Sequence, residues 1–133
     1  MILFIDDEKA RSRPWVDELS EAGHIVRALT SADEARQALE SLDSEVKCII
    51  LDLMIPADGQ VPDRRTGYGT RTGLWLLQLL RDNNHTTPAI VLSNVDDPRV
   101  EEAVTQLEAV YQRKRSCGPK KLAALVQDLT ASY

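Results

Sequence analysis

Five short apolar runs, "MILFI" (1–5), "HIVRAL" (24–29), "VKCIIL" (46–51), "PAIVLS" (88–93) and "AVYQRK" (109–114), alternate with stretches whose apolar residues recur at helical spacing. Runs this short, bounded by acids, glycine or proline, read as strands. Strands separated by whole helices cannot pair as hairpins, because a helical crossover returns the chain in the same direction. The alternation therefore predicts an α/β chain built on a parallel sheet with helices on both faces.

The helical stretches carry their own start and stop markers. In 10–22, Trp15, Leu19 and Ala22 share one face, Gly23 is the expected stop, and Pro14 is expected in the first turn, where its missing N–H costs little. "SADEARQALESL" (31–42) opens with Ser31 as N-cap and Glu34 three residues on, a capping-box pattern. "LWLLQLLRD" (74–82) is apolar on one side, and 96–107 opens with Asp97 as N-cap and Pro98 at the first helical position. "PKKLAALVQDLTAS" (119–132) closes the chain as an amphipathic helix. The stretch "ADGQVPDRRTGYGTRTG" (57–73) has no helical or strand period and is expected to be a loop.

At 133 residues the chain is expected to be one domain, 1–133. A net charge of −5 argues against nucleic acid or an anionic membrane as the main partner. "MILFI" meets "DDE" too soon to be a signal peptide, and no apolar run approaches the roughly 20 residues that cross a bilayer. Cys48 and Cys117 stand far apart with no metal-ligand spacing, so the expected setting is reducing and cytoplasmic. His24 and His85 fall at predicted element ends with no triad or ligand partner, and Trp15 and Trp75 read as core or near-core.

In open parallel sheets the site lies beyond the carboxyl ends of the strands. The first strand ends in Asp6 and Asp7, the third in Asp52, the fourth in Ser93 and the fifth in Lys114. Three carboxylates in one pocket repel unless they take protons or a cation, and Mg²⁺ suits an all-oxygen set beside phosphate. Lys114 can pair with Asp52 or a phosphoryl oxygen, and Ser93 can donate to the same oxygen. Asp52, central on the edge, is the candidate nucleophile for a phosphoryl group, forming an acyl phosphate.

The motifs "ILFIDDE" (2–8), "IILDLMIP" (49–56), "GLWLL" (73–77), "AIVLSN" (89–94) and "YQRK" (111–114), in this order, resemble those of response-regulator receiver domains, the CheY-like proteins of two-component signalling, over essentially the whole chain. The resemblance implies a flavodoxin-like, doubly wound (βα)5 sheet in the order 2-1-3-4-5. It implies that Asp52 accepts phosphate from a phosphohistidine on a histidine kinase or histidine phosphotransfer protein. Asp7, Asp52 and the backbone carbonyl of Met54 would hold Mg²⁺, with Asp6 acting largely through water. Ser93 would be the switch hydroxyl and Tyr111 the switch aromatic, so that phosphorylation alters binding of a downstream effector. Such a protein is not a conventional enzyme, contacts neither nucleic acid nor membrane directly, and is expected as a monomer or weak homodimer. With no chain after Tyr133 for an output domain, a free-standing receiver or a piece of a longer protein is expected.

Several positions depart from that pattern. Arg115 follows Lys114 where proline is usual, and Asn94 follows Ser93 where a small residue is usual. Arg113, Arg115, Lys120 and Lys121 make a basic cluster, read as a solvated rim or a docking patch for an acidic partner. The loop 57–72 runs past the few residues usual there. Arg64, Arg65, Tyr68 and Arg71 are its candidate contacts if it is a lid or partner-binding segment, and passive insertion is the alternative. "GYGTRTG" (67–73) has the glycines of a phosphate loop but follows no strand. Two rival functions share the fold: a binding module independent of phosphorylation, and a Mg²⁺-dependent phosphatase with an aspartyl nucleophile. Met54 disfavours the second, because a second acid would be wanted two residues after Asp52.

Overall fold

A computed structural model of the chain describes residues 1–131. The elements run β1 (Ile2–Ile5), α1 (Lys9–Glu21), β2 (Val26–Leu29), α2 (Ala32–Glu40), β3 (Cys48–Leu51), α3 (Thr72–Asp82), β4 (Ala89–Ser93), α4 (Pro98–Gln106), β5 (Val110–Arg113), a 3₁₀ turn (Lys114–Ser116) and α5 (Pro119–Thr130). The strands form one parallel sheet in the order β2-β1-β3-β4-β5. This is the doubly wound fold expected from the alternation. The expected last helix reached 132, a residue outside those described. No helix among the described residues is long and apolar enough to cross a membrane.

Successive side chains of a strand point to opposite faces, so the two-sided apolar runs build two cores. Leu3, Ile5, Ile49, Leu51 and Val91 pack with Leu39, Leu76, Leu80 and Val104 from α2, α3 and α4. Ile2, Phe4, Ile50, Ile90 and Leu92 pack on the other face with Leu19 of α1 and Leu122 and Val126 of α5. The register pairs Ile5 with Leu51 and Leu51 with Val91, and Val91 pairs with Tyr111, so the carboxyl ends finish nearly level. Residues just past those ends are thereby delivered to one edge.

The caps follow the sequence at two helices. The Ser31 hydroxyl accepts the Glu34 N–H, and the Asp97 carboxylate accepts the Arg99 N–H. Pro14 departs from expectation. It is the sixth residue of α1 rather than part of its first turn. The bond it forgoes would have gone to the carbonyl of Ala10, and both residues are exposed, so water can serve that carbonyl instead. Meanwhile Ser12 donates to the Glu8 carbonyl at 2.9 Å and supports the entry to the helix.

The segment between β3 and α3 is also more ordered than its composition suggests. Thr66 and Thr72 are fully buried, and Val61 joins the core under α2. The Tyr68 N–H donates to the Asp63 carbonyl and the Arg71 N–H to the Thr66 carbonyl, each at 2.7 Å. Asp33 of α2 clasps the segment: its carboxylate accepts the Gln60 N–H at 3.0 Å, and its own N–H donates to Asp58 at 2.8 Å. The segment is a loop, as expected, and it satisfies much of its own backbone.

Candidate functional site

The expected edge residues meet around one lysine. Asp6, only 3% exposed, accepts the Glu8 N–H on Oδ1 at 2.9 Å and Lys114 Nζ on Oδ2 at 2.9 Å. Asp52 accepts the neighbouring Leu53 N–H on Oδ1 at 2.7 Å and Lys114 Nζ on Oδ2 at 3.3 Å. Lys114 thus bridges acids from two strands across 108 and 62 residues of sequence. Asp6, Asp7 and Asp52 each offer a carboxylate oxygen within 4.8 Å of the others.

Electrostatics set these groups apart. Burial pushes the Asp52 carboxyl upward; Lys114 opposes it, the charge of Asp6 adds to it, and a hydrogen bond from Ser93 draws it down. Asp7 is also raised, by desolvation first, against its backbone hydrogen bond, and further by Asp6 and Glu8. Burial alone would lower the Lys114 ammonium, but the hydrogen bond to Asp6 and the charge of Asp52 reverse the sign and leave it raised. Lys114 is therefore a fixed cation among acids.

An open cavity of about 690 Å³ gives access to Asp7, Asp52, Met54, Ser93 and Lys114. Ser93 closes β4 and is 2% exposed. Met54 is 51% exposed, and no hydrogen bond among the described residues takes its carbonyl. Tyr111, half-buried on β5, donates its hydroxyl to the carbonyl of Val95, two residues beyond Ser93. Asn94 is exposed and lines the mouth.

Of the four loop candidates Tyr68 lines the cavity, while Arg64, Arg65 and Arg71 are exposed outside its lining. Within the basic cluster two side chains have partners. Arg113 pairs with Asp96 at 2.7 Å and Glu101 at 3.2 Å, and Lys121 donates to the Ser116 carbonyl at 3.1 Å.

Sequence reasoning missed two supports of the site. Without proline at 115 the chain turns through the 3₁₀ segment 114–116, and the Trp15 indole N–H fastens its exit by donating to the Cys117 carbonyl at 2.8 Å. Gly73 lets α3 approach β3 so closely that a Cβ there would lie 2.3 Å from the Asp52 carbonyl oxygen. The glycine in "TGLWLL" was the available clue to the second; nothing in the sequence pointed Trp15 at residue 117.

No family model matches the sequence, and no curated protein matches it. Solved structures do match. The receiver domain of Francisella response regulator 1452 superposes with a TM-score of 0.78 at 22% identity, covering 98% of this chain and 96% of that one. A response regulator receiver protein from Pseudoalteromonas atlantica gives 0.79 at 17% identity, covering 98% and 97%. The Vibrio cholerae chemotaxis protein CheY4 gives 0.73 at 18% identity, covering 96% of each. With the strand order and the level carboxyl edge, these likenesses over nearly the whole length establish that the chain has the CheY-like fold of response-regulator receiver domains.

Proposed function

We propose that the protein is a phosphoacceptor that receives a phosphoryl group on Asp52 from a phosphohistidine of a histidine kinase or histidine phosphotransfer protein, and so controls the binding of a downstream effector. One observation carries the reading: Asp52, Lys114 and Ser93, from three different strand ends, share one open cavity with Asp7. In the reaction an Asp52 carboxylate oxygen bonds to phosphorus as the P–N bond breaks, and the electron pair goes to the imidazole nitrogen. Lys114, already within 3.3 Å of Asp52, pairs with a phosphoryl oxygen, and the Ser93 hydroxyl donates to another.

The acid cluster fits a hard divalent cation. Its donors are all oxygen, they approach one another within 4.8 Å, and they face an open cavity. Asp7, Asp52 and the free Met54 carbonyl would hold Mg²⁺, with Asp6 behind them, already committed to Lys114 and Glu8. Bound there, the ion would neutralise phosphoryl charge. The Tyr111–Val95 hydrogen bond supports a route outward, because a shift of Ser93 toward phosphate pulls on the carbonyl that Tyr111 holds. Asp52 is modified once rather than turned over, so the protein acts as a signalling partner in the cytoplasm rather than as a conventional enzyme.

Intact mass after incubation with acetyl phosphate, with and without Mg²⁺, tests the proposal. Gain of one phosphoryl group by the wild type only with Mg²⁺, and none by D52N, is the expected result. A wild type that stays unmodified with Mg²⁺, or a D52N protein labelled equally, overturns it.

A further inference from the structure

Tyr68 is 75% exposed, yet its backbone sits at φ 56°, the left-handed region that a bulky side chain occupies only at a cost of order 1 kcal/mol. No burial of the ring offsets that cost. Other groups impose the conformation: the Tyr68 N–H is held by Asp63, and the next residue, Gly69 (φ 89°), lies so near the exit of β3 that a Cβ would come within 3.3 Å of the Ile55 carbonyl. Asp33 anchors the far side of the loop to α2. The loop thus delivers an exposed aromatic side chain to the wall of the Asp52 cavity, which exposed Met54 also lines. Asp7, Glu8 and Asp52 line the same cavity with Arg11 and Lys114; Arg11 pairs with Glu8 at 3.3 Å and Lys114 with Asp52 at 3.3 Å, so the rim carries both signs of charge and the ring of Tyr68 is its aromatic feature.

We infer that Tyr68 is a specificity-determining residue that stacks on the imidazolium ring of the phosphodonor. The inference rests on the phosphoacceptor reading and adds to it a preference for the leaving group. A phosphoimidazole reacts in the form protonated on its other ring nitrogen. Asp52 bonds to phosphorus, the P–N bond breaks with its electron pair on nitrogen, and neutral imidazole departs with the proton it already carried. A cationic planar ring of this kind is what an exposed aromatic face binds. Phosphoramidate offers the same P–N bond and a protonated nitrogen, but no ring.

The test compares phosphorylation rates with phosphoimidazole and phosphoramidate, each with Mg²⁺ and read by intact mass, in the wild type, Y68A, Y68G and Y68F. Glycine adopts a φ of 56° readily, so Y68G keeps the loop's conformation while removing the ring. The preference for phosphoimidazole should fall about two- to fivefold in Y68A and Y68G, with phosphoramidate rates unchanged and Y68F like the wild type. An unchanged preference in Y68A and Y68G, an equal slowing with both donors, or a loss in Y68F matching Y68A overturns the inference and leaves the phosphoacceptor reading standing. A wild type labelled by neither donor overturns both.

Discussion

Replacing Gly73 with alanine sets two effects against each other. Gly73 is the second residue of α3, and alanine there gains about 1 kcal/mol of helix propensity. The new Cβ, however, would lie 2.3 Å from the Asp52 carbonyl oxygen, 2.8 Å from Leu53 Cα and 3.1 Å from the Asp52 carbonyl carbon. All three are backbone atoms, so no side chain can swing aside. That backbone is itself held, because the Asp52 N–H donates to the Ile5 carbonyl and the Gly73 N–H to the Leu53 carbonyl, both at 2.9 Å. Reaching ordinary contact requires a movement of roughly 1 Å at the α3 N-terminus or at Asp52, and overpacking of this kind costs about 1–3 kcal/mol, with rigid neighbours toward the upper end. The clash wins, leaving a net loss of about 1–2 kcal/mol. For a chain of 133 residues that lowers Tm by about 3–8 °C. Thermal melts and urea unfolding of G73A against the wild type measure it. A G73A protein as stable as the wild type, or more so, would refute the argument that α3 is packed against the phosphoacceptor's backbone.

Two further outcomes follow from the same contacts. The Asp33 carboxyl lies below its ordinary range, chiefly through the Gln60 N–H and then Arg36, so its contribution to stability is present above the unfolded value of 3.8 and fades as pH falls through the lowered folded value. D33A should therefore melt a few degrees below the wild type at neutral pH, with the gap narrowing as acid is added; a gap that widens in acid contradicts the clasp. Cys48 is fully buried with its thiol pushed up to about 12, and burial raises Cys117 too, so a thiol reagent at pH 8 should label neither in the folded protein and both in denaturant; rapid labelling of the native protein contradicts the packing of either residue.

Local chemistry was enough for the scaffold. Apolar runs ending in Asp6, Asp52 and Ser93 specify buried strands with polar ends, and Ser31, Asp97 and Pro98 mark helix starts, because each depends only on neighbours a few residues away. Once the alternation requires a parallel sheet, those ends must share one edge, so the acids, the hydroxyl and the lysine could be named from the chain alone. Pro14 was misplaced because even from the expected start at Ala10 it is the fifth residue, already past the first turn, and the helix begins one residue earlier still, at Lys9. The segment 57–72 was legible as a loop, but its internal order was not. Glycines and threonines in 57–72 look like flexible chain until Asp33, about 25 residues earlier in sequence, meets Asp58 and Gln60 across space. The same holds for the Trp15 bond to Cys117 over 102 residues, and for Lys114 lying closer to Asp6 than to Asp52. Such contacts depend on how finished elements pack, and packing is a property of the whole fold that no local window of sequence contains.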